Sequence, residues 1–232
     1  MVNLVICCLL TFGIGVHSLY STGLENNVDN FLHSILEKYI ELDCISGRIQ
    51  REIIYDDYKI QLFGNFEYCD NNNFKLEYSV PFEKKISVMN GKLEITPPDS
   101  SDRLLLGQPN DNRFLDFNWG IIDELVEKYN FGFKWRGQIA GYDSVIVLEG
   151  VSKILSEIDI PKVMIWIDAT TSKLLRFEGY NLKDACVLIL TNDEFKNIDD
   201  IHIPIRYSIH LPIGKDKGEI ITTLTHIKRK EN

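Results

Sequence analysis

Hydrophobic positions along this chain fall into two periods. Between Glu25 and Asp43 (ENNVDNFLHSILEKYIELD), Val28, Phe31, Leu32, Ile35, Leu36, Tyr39 and Ile40 recur at i, i+3, i+4 and i+7. That spacing predicts an amphipathic helix, and Asn26, Asn27 and Asp29 supply capping and first-turn groups at its start. From Ile45 onward the period falls to two. Ile60, Leu62, Phe66 and Tyr68 alternate with Lys59, Gln61, Asn65 and Glu67; Phe74, Leu76 and Tyr78 alternate with Lys75, Glu77 and Ser79; Ile203, Ile205, Tyr207, Ile209 and Leu211 share one face of IPIRYSIHL. Turn signals separate these runs at Asp56-Asp57, Asp70 to Asn73, Asn90-Gly91, Pro97-Pro98, Gly141, Gly150 and Lys215 to Gly218. The count is about eleven antiparallel strands, or twelve.

Two segments break the alternation. Asp99 to Asn118 is polar and holds Gly107, Pro109 and Asn110, which reads as a long loop. Trp119 to Tyr129 (WGIIDELVEKY) has the spacing of a short amphipathic helix, with Ile121, Ile122, Leu125, Val126 and Tyr129 apolar. A loop and helix inserted in mid-sheet suggest a lid. With no repeat, low-complexity tract or dividing linker, the economical architecture is one twisted sheet carrying two helices.

Composition adds bounds. A chain of 232 residues that is 44% hydrophobic and 25% charged can bury a core and is not disordered. Its formal net charge of -9 argues against nucleic acid as a partner, and makes an anionic membrane an equally poor one for the molecule as a whole. The first charged side chain is Glu25. The apolar run from Val2 to Val16 is short for a membrane span, and Val16, Ser18, Leu19 and Ser21 follow where signal peptidase cuts, so residues 1–21 read as an export signal and 22–232 as a single domain. Cys7 and Cys8 lack a hydrophobic run long enough to make either a lipidation site.

The remaining thiols, Cys44, Cys69 and Cys186, are odd in number and far from any histidine at metal-ligand spacing. Buried apolar thiols are the favoured reading, with one disulfide as the alternative in an oxidising compartment. A search for G-x-S-x-G, H-E-x-x-H, a phosphate-binding lysine loop and G-x-G-x-x-G finds none. His33, His202, His210 and His226 have no advertised partner, Ser100-Ser101 has no visible histidine, and the acidic pairs Asp56-Asp57 and Asp199-Asp200 fall at turns where carboxylates are ordinarily solvated. The reading is therefore not an enzyme, with no catalytic residue, metal or cofactor.

The stretch from Gly64 to Gly91, GNFEYCDNNNFKLEYSVPFEKKISVMNG, resembles the LolA family of periplasmic carriers of outer-membrane lipoproteins. Gly64, Phe66, Tyr68, Phe74, Tyr78, Pro81 and Gly91 occupy the matching places, and weaker agreement runs through Gly47 and Gln50, Trp119, LLRFEGYNL and IPIRYSIHLPIG, where Pro212 and Gly214 stand at the family's core end. The chain differs in having Asp70 to Asn73 where family members often carry Arg. The resemblance implies a mainly β fold with two or more helices, an incomplete antiparallel β-barrel whose concave hydrophobic face the helices cover. It further implies a monomeric periplasmic carrier that holds the acyl chains of lipoproteins or other lipid, takes cargo from an inner-membrane exporter and passes it to an outer-membrane acceptor. The lipid-binding residues expected on that reading are Ile49, Leu62, Phe66, Tyr68, Phe74, Leu76, Tyr78, Ile86 and Val88 on strands, Trp119, Ile122, Leu125 and Val126 on the lid, and Phe133 and Trp135 beyond it. An envelope sensor or interaction domain with the same half-barrel is the alternative. LolB shares the fold but is anchored through an N-terminal Cys, which makes LolA the better match.

Overall fold

The computed structural model describes residues 28–40, 44–55, 58–70, 73–90, 92–97, 121–154, 160–212 and 218–230. The expected export signal, the expected loop from Asp99 to Asn118, Trp119, Asp56-Asp57, Gly91 and Gly214 lie outside them. Along the chain come helix α1 (Val28–Ile40), strands β1 (Ile45–Tyr55), β2 (Tyr58–Asp70), β3 (Asn73–Val80), β4 (Lys84–Met89) and β5 (Lys92–Thr96), then helix α2 (Ile121–Lys128). Strands β6 (Tyr129–Ile139), β7 (Tyr142–Ser152), β8 (Lys162–Asp168), β9 (Leu174–Tyr180), β10 (Cys186–Ile198), β11 (Ile201–Leu211) and β12 (Gly218–Arg229) complete it.

The strands form one antiparallel sheet of twelve in the order β5-β4-β3-β2-β1-β12-β11-β10-β9-β8-β7-β6. Every neighbour is consecutive in sequence except β1 and β12. That order is an up-and-down barrel cut between β5 and β6, so the sheet is not closed, and the segment that carries α2 is inserted at the cut. The two expected helices are both present, over Val28–Ile40 and Ile121–Lys128 among the described residues. Tyr129 starts β6 and faces Ser152 of β7 rather than ending the helix. The chain also continues past Pro212 into β12, which is central to the sheet.

One face of the sheet is apolar because the alternation puts it there. The helices lie on that inner face: Val28, Leu32, Ile35 and Leu36 of α1 and Leu125 of α2 join the strand residues in a single buried cluster. On α1 the remaining side, including Asp29, His33, Ser34, Glu37 and Lys38, is exposed. Lys38 Nζ lies 3.2 Å from Ser172 Oγ in the β8–β9 turn, tying the end of α1 to the sheet.

Two glycines of the family-like segments are explained by close approach. A Cβ on Gly64 would stand 2.1 Å from the Glu77 carbonyl oxygen, and one on Gly47 would stand 2.7 Å from the Thr225 carbonyl and 2.8 Å from the Phe66 ring. Both sit where pairing registers shift, Gly64 against β3 and Gly47 against β12. Only a residue without a side chain lets the strands meet there.

Cys44 and Cys69 form a disulfide across 25 residues. The pairing of Ile45 with Tyr68 sets the residue before β1 opposite Cys69 on β2, so the expectation of buried free thiols is corrected for these two. Strand register, which spacing alone does not give, brings the sulfurs together. Cys186 remains a free, half-buried thiol.

Two stability outcomes follow. A Cys44→Ser/Cys69→Ser double variant should lose about 3.5 kcal/mol in reversible denaturant unfolding, the chain-entropy value for a loop of this length. Gly64→Ala should lose roughly 2 kcal/mol, because backbone rather than a flexible side chain must give way; an unchanged midpoint would show that β2 and β3 can separate there freely.

Candidate functional site

The inner face is built from rungs of directly opposed residues. Starting at β2, Ile60 faces Ile53 of β1, which faces Ile220 of β12; the line continues through Ile209, Leu190, Phe177, Ile165 and Leu148 to Phe133 on β6. This is an apolar rung across nine strands. A second runs from Phe66 through Leu76 and Ile86 to Ile95 on β2 to β5, and a third joins Ile45, Tyr68, Phe74 and Val88.

Most of the expected lipid-binding positions converge here. Ile49, Leu62, Phe66, Tyr68, Phe74, Leu76, Tyr78, Ile86, Val88 and Leu125 are buried in the one cluster, and Val126 and Phe133 are half-buried against it. Trp119 lies outside the described residues, and of Ile122 only its place in α2 is described. Trp135 does not join them. Phe133 opposes Leu148 and Trp135 opposes Val147, so β6 carries an extra residue between them. A bulge of one residue flips every later side chain to the other face. Trp135 therefore stands on the outer face, 43% exposed, with its indole over Gly137.

The expected list also falls mainly on β1 to β4, whereas the apolar face continues across β6 to β12. Ile146, Leu148, Ile165, Phe177, Leu190, Ile209 and Ile220 belong to it equally. Their alternation is as clear in the sequence as that of β2; the family-like motif drew attention to the other half.

Beside the nine-strand rung runs a polar one that the sequence reading missed. Arg51 opposes Thr222, Thr222 opposes Tyr207, and Tyr207 opposes Asn192. Arg51 is only 1% exposed, and its Nε donates to Thr222 Oγ1 at 3.3 Å. Asn192 Nδ2 donates to the Leu174 carbonyl at 2.6 Å. The signal was present: Arg51 sits between Ile49 and Ile53, in phase with core positions. A buried guanidinium is costly unless it is hydrogen-bonded, so removing Thr222 Oγ1 from Arg51 would be more costly here than at the surface.

Titratable groups near the face are arranged for structure. Burial pushes the Tyr129 hydroxyl up to about 12, and it donates to the Ile160 carbonyl at 2.7 Å. Burial, and then the charge of Glu178, raises the Cys186 thiol, which disfavours the thiolate that nucleophilic chemistry uses. Burial lowers His202, with Lys173 adding to the effect. Asp168 caps the β8–β9 turn, accepting from the Thr170 amide at 3.0 Å and from the Thr171 hydroxyl. Among the described residues no three His, Cys, Asp or Glu side chains are grouped to hold a metal ion.

A groove of about 440 Å³ opens on the outer face, lined chiefly by Ser46, Arg48, Asn65, Glu67, Lys75 and Glu77. Its carboxylates are engaged, Glu77 by Lys75 and Glu67 by Lys230, each at 2.6 Å. Those polar walls do not suit an acyl chain.

No family model and no curated protein matches the chain at the level of sequence. Solved structures do. A LolA superfamily protein from Nitrosomonas europaea superposes with a TM-score of 0.62 at 17% identity, covering 87% of this chain and 94% of its own. A domain described as an outer membrane lipoprotein-sorting protein from Vibrio parahaemolyticus gives 0.60 at 12% identity, covering 87% and 92%. A DUF1329 family protein from Desulfovibrio piger gives 0.56 at 12% identity over the same shares. With its cut twelve-stranded meander and helix-covered apolar face, this chain has the LolA-like fold.

Proposed function

We propose that this protein is an exported, non-enzymatic carrier that holds the acyl chains of a lipoprotein or other lipid against the inner face of its sheet. The observation that carries the reading is the cut between β5 and β6. Twelve strands are enough to close a barrel, yet here the apolar face is covered by two helices. A helical cover can leave without breaking a single ladder hydrogen bond, so the face can be exposed to cargo while the sheet stays intact. Each buried methylene of an acyl chain gains about 0.8 kcal/mol. That is ample to displace α1 and α2, and release requires that the fit be incomplete.

Export is supported by the Cys44–Cys69 disulfide, a bond that persists in oxidising compartments. The lipoprotein-sorting domain from Vibrio parahaemolyticus favours a lipoprotein or related lipid as cargo; passage through the periplasm from an inner-membrane exporter to an outer-membrane acceptor is part of the same proposal. An envelope interaction domain is the second reading. It is favoured by the closeness of the cover, since Leu62, Leu76, Ile86, Leu148, Ile165 and Ile209 are all fully buried.

Titration with the fluorescent fatty acid cis-parinaric acid separates the two. A carrier should give a saturable rise that a diacylated lipopeptide displaces. Phe133→Asp, on the inner face, should weaken uptake at least tenfold, while Trp135→Asp, two residues on but on the outer face, should leave it unchanged. No fluorescence rise with the folded protein, or equal loss in both variants, would remove the carrier reading in favour of the interaction domain.

A further inference from the structure

The groove of about 440 Å³ on the outer face lies across the sheet from the inner face, and the carrier reading leaves it without a use. Its floor is a grid of opposed residues on three strands. Asn65 of β2 faces Arg48 of β1, which faces Thr225 of β12; beside them Glu67 faces Ser46, which faces Lys228. β3 adds a wall, with Lys75 opposite Glu67 and Glu77 opposite Asn65. Facing residues on neighbouring strands stand about 5 Å apart and successive same-face residues about 7 Å apart, so these polar groups share one basin.

Their charges fall into two sets. Glu77 is held by Lys75 and Glu67 by Lys230, so each carboxylate is neutralised by its own lysine. Among the described residues the Arg48 and Lys228 side chains have no ion pair or hydrogen bond, and neither have the Ser46 hydroxyl and the Asn65 amide. Two surplus cations and two neutral polar groups thus converge in one groove of a chain whose net charge is -9.

β12 brings a fifth group. Its register slips between Thr225 and Lys228, so that β12 has one residue more than β1 across from Gly47. The slip leaves Thr225 and His226 both exposed and puts the imidazole on the groove wall. It also holds His226 at φ 54°, in the left-handed region that residues with a side chain rarely adopt. Bulges re-aim side chains beside functional sites, and backbone kept in a sparsely populated region points to a use for it. Nδ1 of His226 lies 3.2 Å from Thr225 Oγ1, which leaves Nε2 for a ligand.

We propose that this groove binds a small phosphate ester, with the phosphate held among Arg48, Lys228, His226, Ser46 and Asn65 and the hydroxyl-bearing remainder running toward Glu67 and Glu77. A carboxylate is planar, and one bidentate arginine satisfies it. Cations and neutral polar groups spread over three strands instead match a tetrahedral anion with several acceptor oxygens and a charge near -2. The volume falls in the range of small-molecule sites and exceeds what inorganic phosphate fills. Glu67 and Glu77 keep acceptor positions beyond their lysine contacts, and these suit hydroxyl groups. The site uses nothing from the inner face, so it stands or falls apart from the carrier reading.

Isothermal titration calorimetry of the full chain at low ionic strength tests it, with glycerol 3-phosphate as the probe. The wild type should bind the probe saturably, bind inorganic phosphate and glycerate each about tenfold more weakly, and give no heat of binding with glycerol. Arg48→Gln/Lys228→Gln should weaken binding by about tenfold or more without moving the thermal unfolding midpoint, whereas Lys134→Gln, on β6, should leave it unchanged. His226→Gly removes the imidazole while suiting the left-handed backbone. It should bind about threefold more weakly, with an unfolding midpoint equal to or above that of the wild type, a split that a merely structural histidine would not give. If the double variant loses its far-UV circular dichroism, Lys228→Gln alone replaces it, with an expected loss of about threefold. Uptake of cis-parinaric acid should be the same in all of these variants. No saturable binding by the wild type, or binding that the substitutions leave unchanged, would overturn the proposal, as would glycerate or inorganic phosphate bound as tightly as the ester.

Discussion

The pairing of β1 with β12 joins the first and last strands of the chain and sets everything else in this structure. Without it, β1 to β5 and β6 to β12 would be two separate meanders, each with an unfinished core. With it, a single apolar face runs from β5 to β6 through the middle of the molecule, and the two free edges are forced onto the strands that flank the inserted segment. The join is irregular: β12 carries an extra residue opposite Gly47, with His226 in the left-handed region at φ 54°, and the missing Cβ of Gly47 makes room for it. The disulfide acts beside the same join, pinning the start of β1 to β2.

From that constraint the rest follows in order. An uninterrupted apolar face must be covered, and the sheet has spent all its strands, so helices do it. The helices meet the sheet chiefly through side chains, with α2 tethered at its end by the Lys153 amide on the Lys128 carbonyl, whereas strand pairing adds a ladder of backbone hydrogen bonds. Covering and holding are therefore separable in energy: α1 and α2 can move while the twelve strands keep every bond. The polar rung through Arg51, Thr222, Tyr207 and Asn192 crosses the middle of the face beside the apolar one.

Trp135 shows how a local irregularity outweighs a clean pattern. Phe133 and Trp135 are two apart on an alternating strand, and simple alternation gives them the same neighbours. One additional residue on β6 gives them opposite ones. The bulge lies on an edge strand, where it also disturbs pairing with another chain. Edge strands without it present a template for aggregation.

What the sequence determined by itself was the set of local choices. Period in hydrophobicity fixed two helices and the run of strands, because burial of one face needs period 3.6 or 2 and nothing else. It fixed most of the inner face on β1 to β4, since residues such as Leu62, Phe66, Leu76 and Ile86 can only point one way once the strand exists. The glycine at 64 was visible too, though its reason, a carbonyl 2.1 Å from where a Cβ would stand, was not. The tertiary structure alone decided what depends on partners distant in the chain. The Cys44–Cys69 bond needed the β1–β2 register, the burial of Arg51 needed Thr222 from the far end of the chain, and the cut at β5 and β6 needed β12 to come back to β1. The grouping of Tyr58, Phe82, Ile154 and Leu182 at one end is of the same kind. They are scattered over more than a hundred positions and share one end only because hairpins alternate ends, a property of the assembled sheet that no window of sequence contains.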